Sequence, residues 1–208
     1  IVATATDYGL SHAKAFKKVV QLVEAAQDIG IPLLLVSGAQ WEAPSIPASA
    51  QWLEGREEFF NALSRLTVPK ISLALGPRSL EQAVHQQMDL TLYVKREGET
   101  EDELARAQKN IAVVCDSLTA AFDQTASLLP SLLGTSFSSE DQADRAIDTK
   151  LPDELTQAYD MRSVIDQVFD KNTFVELWKE DKLPLIVGLA NMNGKVVGVI
   201  ADNPEIES

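Results

Sequence analysis

Apolar residues recur at intervals of three and four between His12 and Ile29, which predicts an amphipathic helix. We expect Gly30 and Pro32 to end this helix, because neither residue favours its continuation. The next apolar run, PLLLVSG at 32–38, is short and uninterrupted. Such a run is typical of a strand that is covered on both faces.

The same two patterns alternate through the next sixty residues. After the proline-broken loop WEAPSIPAS, a second helix is predicted, with an inner side formed by Leu53, Phe59, Phe60, Leu63 and Leu66. KISLALG (70–76) and DLTLYV (89–94) repeat the buried-strand pattern, with a short helical stretch between them. Alternating strands and helices predict parallel crossovers and a layered α/β domain.

A long helical run is predicted from Glu101 to Leu129, and Pro130 is expected to stop it. One stripe of this run carries Leu104, Ile111, Leu118, Phe122, Thr125 and Leu129, which indicates a packing helix. The following stretch, 134–158, begins GTSFSSEDQAD and is rich in Ser, Thr and Asp. This composition predicts a linker.

A second unit is predicted to start at Tyr159. DMRSVIDQVF reads as a helix with Asp160 as its N-cap, and TFVELWKED as a short helix. The arms LIVGLANM and KVVGVIAD surround Asn193-Gly194, a strong hairpin signal. Because so few elements make a poor domain alone, we expect the protein to continue, or the hairpin to dock on another unit.

Composition and charge restrict the possible partners. The chain has 208 residues, of which 45% are hydrophobic and 24% charged, enough for one large domain or a domain plus a part of another. A net charge of −13 argues against nucleic acid and anionic lipid, and a phosphorylated ligand would need a local Lys or Arg cluster. Neither a membrane span nor a secretory signal is predicted, which favours the cytoplasm or an organelle matrix.

Side-chain chemistry is sparse. Cys115 stands alone among apolar neighbours, which predicts a buried structural thiol. His12 and His85 are far apart and lack a nucleophile elbow, so we expect structural roles for them. The acidic runs EGETEDE and SSEDQAD are typical of solvated surface, and we predict no metal site and no glycine-rich phosphate loop.

The motifs, taken in order, resemble the carboxyltransferase subunit or domain of biotin-dependent acyl-CoA carboxylases, both the acetyl- and propionyl-CoA carboxylase β type and the glutaconyl-CoA decarboxylase α type. The segments that carry the resemblance are TDYGLSHAKAFKK (6–18), GIPLLLVSGAQ (30–40), VPKISLALGPRSLEQAV (68–84), TASLLPSLLG (125–134), YDMRSVIDQVFDKNTFVELW (159–178) and VGLANMNGKVVGVIADNP (187–204).

The resemblance implies a crotonase-like α/β fold. It implies a divergent N-terminal carboxyltransferase domain at 1–133, the linker at 134–158, and the beginning of a second crotonase-like domain at 159–208. It also implies transfer of CO2 between carboxybiotin and an acyl-CoA thioester, with biotin carried by a partner protein or domain. The implied partners are biotin carboxylase and biotin carrier subunits and other carboxyltransferase chains in an oligomer.

The resemblance places the acyl site at two strand-to-helix turns, where backbone N–H groups hold a thioester oxygen. The matching positions are Gly38, Ala39, Gly76, Pro77, Leu80 and Glu81. The family's Gly-Gly pair falls on Leu80 and Glu81, and the DSGG and GGS patterns each keep one glycine. We therefore expect this domain's acyl site to be degenerate.

Two other functions stay open. The first is a non-catalytic structural subunit that keeps the carboxyltransferase fold within a carboxylase-type complex. The second is a hydratase or isomerase of the crotonase type, which requires a carboxylate acid or base near the bound thioester. The sequence does not place that carboxylate.

Overall fold

The computed structural model of the chain describes residues 2–6, 13–38, 50–76, 87–100, 111–135, 158–179 and 184–204. The chain separates into two compact units, Ile1–Asp123 and Gln124–Ser208. The described elements are, in chain order, β1 (Val2–Thr6), α1 (Ala13–Ile29), β2 (Leu33–Gly38), α2 (Ala50–Arg65), β3 (Lys70–Leu75), β4 (Leu90–Val94), β5 (Val113–Cys115), α3 (Leu118–Leu132), α4 (Met161–Val168), β6 (Val175–Leu177), β7 (Leu185–Met192) and β8 (Lys195–Asp202).

The first unit is built on a five-stranded sheet in the order β1-β2-β3-β4-β5. Every neighbouring pair is parallel. Parallel neighbours require crossover connections, and α1 and α2 supply two of them. All five residues of β4 are buried, as are the first five of β3. The prediction of a layered α/β domain with buried strands is therefore confirmed.

Helices α1 and α2 cover one face of this sheet. The shared core contains Phe16, Val20, Val23, Leu33, Leu35, Phe59 and Leu63. The rings of Phe16 and Phe59 lie 6.1 Å apart, centroid to centroid. A Cβ atom added at Gly55 would lie 3.1 Å from that of Phe16, so glycine lets the two helices approach closely at this point.

The prediction that Leu53 lies on the inner side of α2 is wrong. Its exposed fraction is 50%, whereas that of Phe59 is 1%. The reason is geometric, because six residues at about 100° each place Leu53 roughly 120° around the helix from Phe59. Phe60 is partly buried, and Leu63 and Leu66 are buried as predicted.

The prediction of a continuous helix from Glu101 to Leu129 is also wrong. Residues 111–117 are not helical, and Val113–Cys115 form β5, which pairs with β4. Two β-branched valines in this segment favour a strand once a neighbouring strand is available. The helix begins only at Leu118, where the Ser117 hydroxyl accepts a hydrogen bond from the Ala120 N–H at 3.1 Å.

The prediction that Pro130 stops this helix is wrong. The proline lies inside α3, two residues before the helix ends. Proline has no N–H to donate to the carbonyl four residues earlier, so the helix lacks one backbone hydrogen bond there but continues for two more residues. The Pro130 carbonyl instead accepts the Thr135 N–H at 3.1 Å, and Gly134 adopts φ 63°, the left-handed conformation of a helix C-terminus.

The second unit contains a three-stranded antiparallel sheet in the order β6-β7-β8. Helix α4 packs on one face of the sheet, where Ile165 joins Ile186, Ala190 and Val199. The Asp160 side chain accepts the Arg162 N–H at 3.0 Å, which confirms the predicted N-cap.

The β7–β8 hairpin is confirmed as well. Asn193 and Gly194 have φ values of 51° and 73°. Two positive φ angles in succession define the type I′ turn that the Asn-Gly pair favours. The Asp170 carboxylate accepts both turn amides, Asn193 N–H at 2.9 Å and Gly194 N–H at 2.7 Å. The segment after α4 therefore fastens the hairpin tip.

TFVELWKED was predicted to be a short helix, and this is wrong. Val175–Leu177 form β6, which pairs with β7 from Leu189 to Val187. Arg162 of α4 holds this strand through two parallel hydrogen bonds to the Glu176 carboxylate, at 2.8 and 2.7 Å. Most of the predicted linker, residues 136–157, lies outside the described residues, so the domain boundaries stay predictions.

Candidate functional site

The carboxyl ends of the parallel strands meet along one edge of the first unit's sheet. Open α/β sheets bind ligands at this edge. In the register of the sheet, Gly38 at the end of β2 is aligned with Leu75 at the end of β3. Gly76 follows directly, with φ 114°, a conformation that side chains resist. The sheet therefore brings the two predicted turns, at Gly38 and Gly76, onto neighbouring strands.

The other predicted site residues, Ala39, Pro77, Leu80 and Glu81, lie outside the described residues, as do His12 and His85. The structure therefore describes the two strand ends that lead into the turns, and the turn residues are known only from the sequence.

Two cations follow β4 at the same edge, Lys95 and Arg96. The Lys95 N–H donates to the Cys115 carbonyl at 3.0 Å, and its Nζ lies 3.4 Å from Oδ1 of Asp116. Asp116 is almost fully exposed, and such surface pairs contribute little free energy. An anionic ligand at this edge could therefore compete for Lys95 at small cost.

Tyr93 and Glu99 form a second feature of this edge that the sequence analysis missed. Tyr93 is fully buried in β4, and its hydroxyl donates to Oε1 of Glu99. Burial raises the pKa of Tyr93 well above its usual range, and the Glu99 carboxylate raises this pKa further. The second oxygen of Glu99 accepts the Arg96 N–H at 3.1 Å, so this carboxylate fixes the loop that carries both cations.

Sequence offered only a faint signal for this contact, a tyrosine inside an apolar strand. A buried tyrosine hydroxyl requires a hydrogen-bond partner, but nothing local identifies Glu99 as that partner. Besides Asp116, Glu99 is a carboxylate at this edge of the kind that the hydratase or isomerase alternative requires. Its oxygens already accept hydrogen bonds from Tyr93 and Arg96, which favours a structural role.

Cys115 ends β5 at this edge with 5% of its surface exposed, which confirms the predicted buried thiol. Burial raises the pKa of Cys115, and the nearby Asp116 adds to the rise. A thiol with a raised pKa is a poor nucleophile at neutral pH. Cys115 therefore contributes packing.

A groove of about 540 Å³ lies between α1 and α2, on the helical layer of the first unit. Its lining includes the carboxylates of Glu24, Asp28, Glu54, Glu57 and Glu58 and a single basic residue, Arg65. This excess of negative charge repels phosphates, so the groove does not suit a nucleotide-tailed thioester.

In the described part of the chain, no three His, Cys, Asp or Glu side chains are grouped as metal ligands. None of the helices in the described ranges is both long and apolar enough to cross a bilayer.

Comparison with known proteins gives the family. Residues 99–208 match the sequence model of the carboxyl transferase domain, and this match covers more than half of the chain. The chain belongs to the carboxyl transferase domain family. The resemblance stated from sequence is therefore confirmed.

Relatives in this family are distant. The mitochondrial propionyl-CoA carboxylase beta chains of Homo sapiens and Sus scrofa are 27% and 26% identical, each over 96% of this chain and 43% of their own length. The biotin-dependent long chain acyl-coenzyme A carboxylase beta4 subunit of Mycobacterium tuberculosis is 26% identical over 90% of this chain and 42% of its own. The chain thus spans less than half the length of these relatives.

Solved structures agree on the fold. A transcarboxylase 12S structure with methylmalonyl-coenzyme A and methylmalonic acid bound superposes with a TM-score of 0.73 at 24% identity, over 98% of this chain and 44% of that one. A single-chain, multi-domain long-chain acyl-CoA carboxylase superposes with a TM-score of 0.70 at 16% identity, over 92% and 22%. The predicted crotonase-like carboxyltransferase fold is therefore confirmed.

Proposed function

We propose that this chain is the carboxyltransferase component of a biotin-dependent acyl-CoA carboxylase or decarboxylase. It would transfer CO2 between carboxybiotin and an acyl-CoA thioester. The observation that carries the proposal is the family match over residues 99–208. The relatives' names add acyl-CoA as the substrate class and biotin dependence as the source of CO2.

The chemistry assigned to the sheet edge is the holding of a thioester carbonyl while negative charge builds on its oxygen. Backbone N–H groups at a strand-to-helix turn do this because their dipoles are fixed in advance. Gly38 and Gly76 fit this task, since neither carries a side chain that would block the ligand and they lie on neighbouring strands. Carboxybiotin would supply the CO2. Lys95, whose ion pair with Asp116 is exposed and weak, would pair with the thioester's phosphates.

The turn after Gly76 fits less well, and we propose that the amide site of this domain is degenerate. Leu80 adds bulk where the family has glycine. If Glu81 faced the ligand, a like-charge contact near 4 Å would cost about 4 kcal/mol at an effective dielectric of 20, roughly three decades in rate. That is as much as the loss of one amide donor, about 3 to 4 kcal/mol.

The proposal includes partners. Biotin would be carried by a partner protein or domain, and the chain would assemble with biotin carboxylase and biotin carrier subunits and with other carboxyltransferase chains. One structural neighbour, transcarboxylase 12S, is described as a hexamer, which supports an oligomer here. Cytoplasm or organelle matrix is the proposed location, and the mitochondrial relatives support the second.

A structural subunit is the second candidate. Leu80 and Glu81 at the glycine positions favour it, because a subunit that only builds the complex needs no open acyl site. Such a pseudoenzyme would keep the fold and its contacts but not the chemistry.

The test is a carboxyl-transfer assay on the native complex that contains this chain, purified from the organism that produces it. Radiolabelled bicarbonate, ATP and a panel of acyl-CoA thioesters are supplied, and labelled acyl product is measured. The proposal predicts label in at least one product and loss of this label when the chain is depleted. A complex that forms normally and transfers the label equally well without this chain would support the structural subunit instead.

A further inference from the structure

The side chain of Ser37 is buried without a described partner at the edge where the thioester is proposed to bind. Ser37 is 3% exposed, and none of the described residues forms a hydrogen bond with its Oγ. A buried hydroxyl without a partner costs free energy, and such groups call for an explanation. Ser72, on β3, is also buried, at 0% exposure, and its Oγ likewise has no described hydrogen-bond partner.

The two serines differ in position. Side chains alternate along β2, and Leu33 and Leu35 pack against α1 and α2, so Ser37 faces the same side. It is the last side chain of β2 before Gly38 ends the strand. Ser72 is aligned with Leu35, one row further from the edge, about 7 Å along the strand.

The neighbour of Ser37 on β3 has a small side chain. Ser37 is aligned with Ala74 of β3, and Ala74 with Tyr93 of β4. Alanine presents only a methyl group between the two hydroxyl-bearing residues. The Tyr93 hydroxyl is already used by Glu99, which leaves the Ser37 hydroxyl as the unassigned donor of this row.

We propose that the Ser37 hydroxyl donates a hydrogen bond to the carbonyl oxygen of the bound acyl-CoA thioester. This inference rests on the proposed function and adds a side-chain donor at the end of β2, next to Gly38. A serine hydroxyl rotates freely to suit its acceptor, and side-chain hydroxyls serve as donors to developing oxyanions in other acyl-transfer sites. Burial strengthens the bond, because water is excluded. No covalent step at Ser37 is involved.

The experiment compares Ser37→Ala with Ser72→Ala in the full chain. Each change removes a buried hydroxyl without a described partner, so neither should lower the temperature of thermal unfolding. Binding of propionyl-CoA is measured by calorimetry, and carboxyl transfer is measured in the purified complex. We expect Ser37→Ala to weaken binding about 2- to 10-fold and to lower kcat by about 100-fold or more. Ser72→Ala should change neither.

The outcomes separate this inference from the proposed function. Equal transfer and binding by the two variants, with an active wild type, would overturn the role of Ser37 and leave the function standing. Weaker binding by Ser37→Ala alone, with no transfer by the wild type, would support Ser37 and refute the function. A wild type that binds no thioester overturns both. A selective loss of thermal stability in Ser37→Ala would mean a structural role and would also overturn the inference.

Discussion

The carboxylate of Asp170 holds the hairpin turn of the second unit. Its two oxygens accept the N–H groups of Asn193 and Gly194, the residues of the hairpin turn. Its own N–H donates to the Asn191 carbonyl at 2.8 Å. Replacing Asp170 with Ala leaves the backbone bond and removes the two bonds to the turn.

The expected cost follows from the surroundings of the two amides. A hydrogen bond to a charged group contributes about 1.5 to 3 kcal/mol. Asn193 is exposed, so water can replace the carboxylate there, whereas Gly194 is buried. Counting mainly the Gly194 bond, we expect Asp170→Ala to lower the free energy of hairpin opening by about 2 kcal/mol, roughly 30-fold in equilibrium.

Native-state hydrogen exchange measures this directly. Amides of β7 and β8 should exchange roughly 30-fold faster in Asp170→Ala than in the wild type. Asp170→Asn keeps one acceptor oxygen and should fall between the two. Asp202→Asn removes an equal charge from an exposed position at the end of β8 and serves as the control. Exchange in Asp170→Ala no faster than in Asp202→Asn would refute the reasoning.

Three further predictions concern packing and ionisation. Gly188→Ala should destabilise the second unit by about 3 kcal/mol in urea unfolding, because its Cβ would lie 2.4 Å from the Val175 carbonyl oxygen of β6. The control is Gly198→Ala, whose Cβ would meet no atom within 4 Å and which should be near neutral. Equal destabilisation by the two variants would contradict the prediction. The raised pKa of Tyr93 means that folded protein holds a proton that unfolded chain releases above about pH 10, so stability present below that pH is lost as pH rises. The loss should be about 1.4 kcal/mol per pH unit and absent in Tyr93→Phe, which also lacks the bond to Glu99; parallel pH profiles would count against it. Burial and a raised pKa should keep Cys115 unreactive towards a thiol reagent at pH 7 until urea unfolds the chain, and rapid labelling of native protein would disprove this.

The features that the sequence predicted correctly are determined by residues close together in the chain. They are the Asn193-Gly194 turn, the Asp160 cap and the first buried strands, which pattern alone identifies. β1 was not recognised, although it pairs with β2 over residues 2–6. The side chains of its VATAT segment are small or polar, so the sequence alone does not predict a strand there.

The two errors in which strands were predicted as helix share one physical cause. Val113–Cys115 and Val175–Leu177 are strands of three residues, and both were predicted to be helical. Such short strands are specified by the neighbour that they pair with, at a distance along the chain, and not by their own periodicity. Pairing with β4 and β7 overrides the helical pattern in each case.

The candidate site divides in the same way. Gly38 and Gly76 were found from motifs, and the parallel register explains why they come together. The Tyr93–Glu99 contact and the buried Ser37 hydroxyl depend on burial and on neighbouring strands, which no motif encodes. This edge of the sheet therefore carries polar side chains that only the folded chain brings together.

The central proposal is that the acyl turn after Gly76 lacks the open amides of the family, because Leu80 and Glu81 stand at its glycine positions. Restoring them in the double variant Leu80→Gly/Glu81→Gly, and measuring carboxyl transfer to propionyl-CoA in the assembled complex, tests it most directly. The account predicts a rise in kcat/KM of about 100-fold or more over the native chain. Native transfer that is already fast, and that the double variant leaves unchanged, would contradict it.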